Sequence, residues 1–182
     1  MLSINGHFDR WILGLVLAFE ALLCSSFYSR EIARYPPSGF DQTTFLTEAY
    51  HLEENILSHG LGEVWKAVRS KGHPNGLLLP VEGALSGLVV GGARWPQLAV
   101  NFVFFGALQI FAFYTAAKIW GHRVYGYAVV GFILCQATAW FQWGGLFDFR
   151  MDFSAYCLYE IWCCAIIRSK LFLDRRWRLD AA

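Results

Sequence analysis

The stretch GLLLPVEGALSGLVVGG, residues 76–92, decides how this chain is organised. It is apolar enough to be read as a membrane span, yet it holds Pro80, Glu82 and five glycines. Counting it as a span or leaving it out reverses the sidedness of everything that follows. The surrounding composition makes the question a membrane question. Hydrophobic residues make up 56% of the 182 residues and charged residues 16%, too apolar a balance for an ordinary soluble domain.

A helix needs about 20 mostly apolar residues to cross a bilayer. Residues 11–29, 98–117, 124–143 and 153–167 fit this description, with Glu20 inside the first and Glu160 inside the last. Trp140 and Trp143 suit an interface at the end of the third. The basic residues near these spans include Arg10, Lys118, Arg123 and then Arg168, Lys170, Arg175, Arg176 and Arg178. With four spans they all fall on one side, as positive residues do on the cytoplasmic face. A fifth span at 76–92 would put Lys118, Arg123 and the C-terminal cluster outside. Residues 76–92 are therefore predicted to be a helix lying at, or re-entering from, the outer interface. The expected fold is all-α and polytopic, with about four transmembrane helices, both termini cytoplasmic, in a bacterial inner membrane rather than the endoplasmic reticulum.

Two extracytoplasmic segments follow from this topology: a long one, 30–97, and a short one, 144–152. The long loop contains GFDQTTFLTEAYHLEENILSH, residues 39–59. Phe45, Ala49, Leu52 and Ile56 recur there at helical spacing, predicting an amphipathic helix over 43–59. Thr43 or Thr44 can cap it, and Gly60 and Gly62 close it. Asp41 is then expected just before the first turn, near the positive end of the helix, where a carboxylate stays ionised. A short segment around Trp65 and the KGHPNG stretch lead on to 76–92.

Some function classes are disfavoured at once. A net charge of +1 gives no pull toward nucleic acid, and neither zinc-finger nor P-loop spacing is present. The five cysteines, Cys24, Cys135, Cys157, Cys163 and Cys164, lie in apolar runs without a C-x-x-C, which points to buried free thiols behaving as small hydrophobes. No ligand spacing diagnostic of a metal is present, although the outer acids are compatible with a divalent cation.

The candidate chemistry lies in the outer loops. Asp41 is in the first, and Asp148 and Asp152, with Arg150 between them, are in the second. Asp41 suits a helix cap and also a base that accepts a proton from a hydroxyl. Lys71, His73 and Arg94 are cations that suit a phosphate leaving group and equally suit lipid headgroups.

The order of these features resembles the N-terminal part of the GT-C superfamily of membrane glycosyltransferases, of the protein O-mannosyltransferase and aminoarabinose transferase types. The resemblance rests on the acid opening the first loop (GFDQTTFLTEAY), the His-Pro segment and apolar helix ending in Gly-x-x-Arg (HPNGLLLPVEGALSGLVVGGAR), and the acid before the next span (GGLFDFRMDFSAY). It runs over roughly residues 10–178. It implies an inverting transfer of a sugar from a polyprenyl-phosphate carrier to an extracytoplasmic acceptor hydroxyl. Asp41 would be the base and Asp152 the second-loop acid, with Asp148 the alternative. Lys71, His73, Arg94 and Arg150 would bind substrate.

The chain departs from the family pattern in Asp41-Gln42, where Asp-Glu is usual, and in Asn75, where a second Pro is usual. The family's enzymes continue through further spans, so the chain is expected to be the N-terminal part of a longer architecture, with activity of its own in question. A non-catalytic multi-span assembly subunit, docking through helix 43–59, is the alternative. A transporter-like fragment using Glu20 and Glu160 is a third reading.

Overall fold

The computed structural model describes residues 6–33, 40–69, 78–91, 94–136, 139–140, 145–148 and 151–169, and of Gly6, His7, Phe40, Asp41, Leu78, Met151 and Asp152 only the backbone. The chain divides into two compact units, Met1–Ser38 and Gly39–Ala182. All regular structure among the described residues is helical, in seven α-helices.

The first unit holds α1, Gly6–Phe27, continued by a π-helical turn, Tyr28–Ile32. The turn closes with the Ala33 amide donating to the Tyr28 carbonyl at 2.8 Å. At 1.5 Å per residue, 22 residues extend about 33 Å, matching a hydrocarbon core of about 30 Å. Trp11, Leu15, Phe19 and Leu22 form an exposed apolar stripe. Asp9, Leu13, Glu20 and Cys24 share the opposite face, by the same helical spacing.

The second unit is built on α5, Arg94–Trp120, whose 27 residues extend about 40 Å. Helices α4 (Leu78–Val90), α6 (Arg123–Leu134) and α7 (Met151–Arg168) all pack on it. Helix α2 (Phe40–His59) packs mainly on α4, and α3 (Gly62–Arg69) packs on α2. Phe8–Ile32 and Arg94–Trp120 are long and apolar enough to cross a membrane; α4 and α6 are apolar but shorter.

Helices appear where periodicity predicts them, with instructive differences at their ends. α2 starts at Phe40, so Asp41 is the second helical residue instead of preceding the helix, and Thr43 and Thr44 are inside it. Its end is as expected. Gly60 takes φ +87°, a left-handed conformation that glycine adopts without a Cβ penalty, and its amide donates to the Ile56 carbonyl. The stretch 124–143, expected to be one span, is not one helix. α6 stops at Leu134, because its last carbonyls find other donors. The Gln136 side-chain amide donates to Phe132, the Gln136 backbone amide to Ile133, and Trp140 Nε1 to Leu134 at 3.0 Å.

α5 and α6 form a tight helical hairpin. Gly121 turns the chain at φ +71°, and His122 Nδ1 caps α6 by accepting from the Val124 amide at 3.2 Å. A Cβ on Gly126 would come within 2.6 Å of the Phe113 ring and 2.8 Å of its carbonyl oxygen. Gly126→Val is therefore expected to destabilise the hairpin by about 1–3 kcal/mol through overpacking. Thermal unfolding in detergent checks this; an unchanged midpoint would mean that the helices approach less closely.

α7 runs parallel to α5. Lys118 near the end of α5 donates to the carbonyl of Arg168, the last residue of α7, at 3.3 Å, while the start of α5 meets the segment before α7. One end of α5 therefore gathers Lys118, Arg123 and Arg168. The other carries the buried polar groups described next.

Candidate functional site

The site grows from the first two turns of α5. Residues 94, 97 and 101 fall at i, i+3 and i+7 and share one face. Pro96 is tolerated in the first turn, where an amide would have no intrahelical partner. Its carbonyl accepts from Ser86 Oγ at 2.6 Å, tying α4 to this end of α5.

Arg94 donates to Gln42 Oε1 at 3.1 Å, and Gln42 Nε2 donates to the Phe147 carbonyl at 3.3 Å. Asn101 Nδ2 donates to the carbonyls of Leu146 at 3.3 Å and Asp148 at 2.8 Å. Three separate pieces of chain are thus joined: the first turn of α2, the start of α5, and the segment 145–148 before α7. Gln42, Gln97, Asn101 and Asp148 are all buried. Buried polar groups left without partners are costly, so the bonds of Gln42 and Asn101 hold these backbone segments firmly.

Of the residues singled out from sequence, Arg94 lies within this network. Asp148 contributes its backbone carbonyl, and its side chain is buried beside the network. Asp41 and Asp152 occupy the first turns of α2 and α7, with their side chains outside the described residues. Lys71, His73 and Arg150 lie outside the described residues altogether. Gln42, Gln97 and Asn101 were not anticipated. For Gln97 and Asn101 the available signal was two amides in the first turns of an otherwise apolar helix, where burial makes each expensive unless hydrogen-bonded.

A second buried polar feature lies between α2 and α4. Phe45, Ala49, Leu52 and Ile56 are buried, and Leu52 and Ile56 cluster with Ala84. Leu52 and Ile56 of this apolar row therefore pack against α4. Glu53 is buried against Gly87, where a Cβ would overlap its carboxylate. On α4, burial pushes the Glu82 carboxyl from the ordinary 4.5 up to about 7, and its Oε2 has no hydrogen-bond partner among the described residues. A carboxyl raised in the fold binds its proton more tightly there than when unfolded. Its contribution to stability is full below pH 4.5 and disappears as pH rises through about 7. The melting temperature is expected to fall over that interval, and Glu82→Gln is expected to flatten the fall. An equally steep profile in the variant would assign it to another group.

A cavity of about 640 Å³ opens between α5, α6 and α7. Its lining is mostly apolar, including Leu108, Phe132, Ile133 and Phe153, with Thr115, Gln136, Tyr156 and Glu160 as polar members. None of Gln42, Arg94, Gln97, Asn101 or Asp148 lines it, so this cavity and the polar network are separate features. Glu160 lies in this lining. All five cysteines are free; Cys157 is buried, whereas Cys135 is exposed, contrary to the expectation of burial. Among the described residues no three His, Cys, Asp or Glu side chains come together to hold a metal ion.

No protein-family model matches the chain, and no curated protein or solved structure is significantly similar to it.

Proposed function

We propose that this chain is a membrane-embedded, inverting glycosyltransferase of GT-C type, or a portion of one. It would transfer a sugar from a polyprenyl-phosphate carrier to an acceptor hydroxyl on the extracytoplasmic side. The observation that carries this reading is the network at the start of α5. Arg94, Gln42 and the carbonyls of 146–148 bind together the first turn of α2, which carries Asp41, and the segment that leads into Asp152.

In the reaction, Asp41 takes the proton of the acceptor hydroxyl as its oxygen attacks the anomeric carbon. The bond from that carbon to the phosphate oxygen breaks, and the lipid phosphate leaves from the opposite face. Arg94 neutralises the charge that develops on the departing phosphate. The apolar groove between α5, α6 and α7 suits a prenyl chain.

The four-span topology belongs to the same reading, with α1, α5, the 124–143 stretch and α7 crossing an inner membrane and both termini in the cytoplasm. It is supported by the grouping of Lys118, Arg123 and Arg168 toward the end of α5 remote from Arg94. The test is transfer of labelled sugar from undecaprenyl-phosphate hexoses in membranes containing the chain. Incorporation above membranes lacking it supports a working transferase. No incorporation with any hexose donor would rule out autonomous activity.

A further inference from the structure

Three polar atoms beside Arg94 have no hydrogen-bond partner among the described residues. They are Nε2 and Oε1 of Gln97 and Oδ1 of Asn101. Both side chains are 0% exposed. They lie one and two turns along α5 from Arg94 on the same face, and Asn101 is oriented by its bonds to the carbonyls of Leu146 and Asp148. The three atoms comprise two acceptors and one donor, with no charge.

That set selects the chemistry of a ligand. A phosphate at neutral pH chiefly accepts, so its anionic oxygens would face Gln97 Oε1 and Asn101 Oδ1 with nothing to donate. Hydroxyl groups both donate and accept, and a neutral polyol meets all three atoms. Arg94 supplies the adjacent cationic position for an anion.

We infer that Gln97 and Asn101 bind hydroxyl groups of the transferred sugar while Arg94 holds its phosphate, so that the site distinguishes a glycosylated carrier from the bare lipid phosphate. This rests on the transferase reading and extends it to two residues of a membrane-crossing helix.

The test is equilibrium binding to the full chain in detergent micelles, using undecaprenyl phosphate, undecaprenyl-phosphate hexoses, and deoxyfluoro versions of any hexose that binds. Fluorine nearly preserves the size of a hydroxyl but cannot donate. Wild type is expected to bind at least one glycosylated carrier roughly tenfold or more tighter than the bare carrier. Fluorination of at least one hydroxyl should remove most of that preference. Gln97→Leu should bind both carriers alike. Because the variant replaces unmet polar atoms with an apolar side chain, it should melt at or above the wild-type temperature without ligand.

Equal binding of glycosylated and bare carriers by wild type overturns this inference and leaves the transferase reading standing. Binding of neither carrier overturns both. Full preference retained in Gln97→Leu, or by every fluorinated donor, also overturns the inference. The fluorinated donors decide the matter on wild type alone if the variant does not fold.

Discussion

Asp41→Asn is expected to lower sugar transfer by about 10²–10⁴-fold, the range for losing a positioned general base. The substitution separates the two roles open to this residue. Asn is close to Asp in shape and serves equally well at a helix start. Asp41 is the second residue of α2, so loss of its charge forfeits a helix-dipole interaction of about 0.3–1 kcal/mol. A residue that only supports the helix start would show this small change in stability with transfer intact. A base would show nearly unchanged unfolding with transfer lost. The measurements are initial transfer rate and thermal midpoint on the same preparation, with undecaprenyl-phosphate hexose as donor. Wild-type rates in the variant would remove Asp41 from the mechanism and move attention to Asp148 and Asp152.

The largest stability effect is expected from Phe105→Ala, a loss of about 3 kcal/mol. Phe105 is 2% exposed and sits where three parts of the second unit meet. Its ring packs edge-on to Trp140 at 5.5 Å and tilted against Phe153 of α7 at 5.7 Å. Each such aromatic pair contributes about 0.5–1.5 kcal/mol beyond burial. Phe105 also lines the groove between α5, α6 and α7, so truncation would enlarge an existing space that its neighbours fill only in part. It lies one turn below Asn101 on the same helix, so loosening here should also weaken the hold on 146–148. Denaturant titration in micelles, followed by tryptophan fluorescence, measures the loss. A cost below about 1 kcal/mol would mean that the α5–α7 interface repacks without this ring.

Much of the helical framework can be read from spacing alone. The row Phe45, Ala49, Leu52 and Ile56 predicts α2 and its buried face, and all four are buried. The stretches 76–92, 98–117 and 153–167 correspond to α4, α5 and α7 to within a few residues at each end. The stretch 124–143 misleads because hydropathy measures suitability for lipid and not continuity of hydrogen bonding. α6 ends where Gln136 and Trp140 side chains take its carbonyls.

Arg94 and Asp148 could be chosen as candidates because charge at the edge of an apolar run is conspicuous. Gln97 and Asn101 were missed because an amide in such a run is unremarkable by composition, and Gln42 because an amide in a polar stretch is equally so. What marks it is complete burial, which depends on neighbours distant in the chain.

By itself, then, the sequence determined that this protein is helical, where most of its helices lie and which face of α2 is buried. These are consequences of side-chain pattern repeating every few residues along one helix. The tertiary structure alone decided that the starts of α2 and α5 and the segment before α7 come together. It also decided that the cations Lys118 and Arg168 lie toward the opposite end of α5. Those contacts join residues 45 to 105 positions apart. They exist because the packing of α7 on α5, and of the start of α2 beside them, brings side-chain donors and carbonyls within reach, and no local periodicity encodes that arrangement.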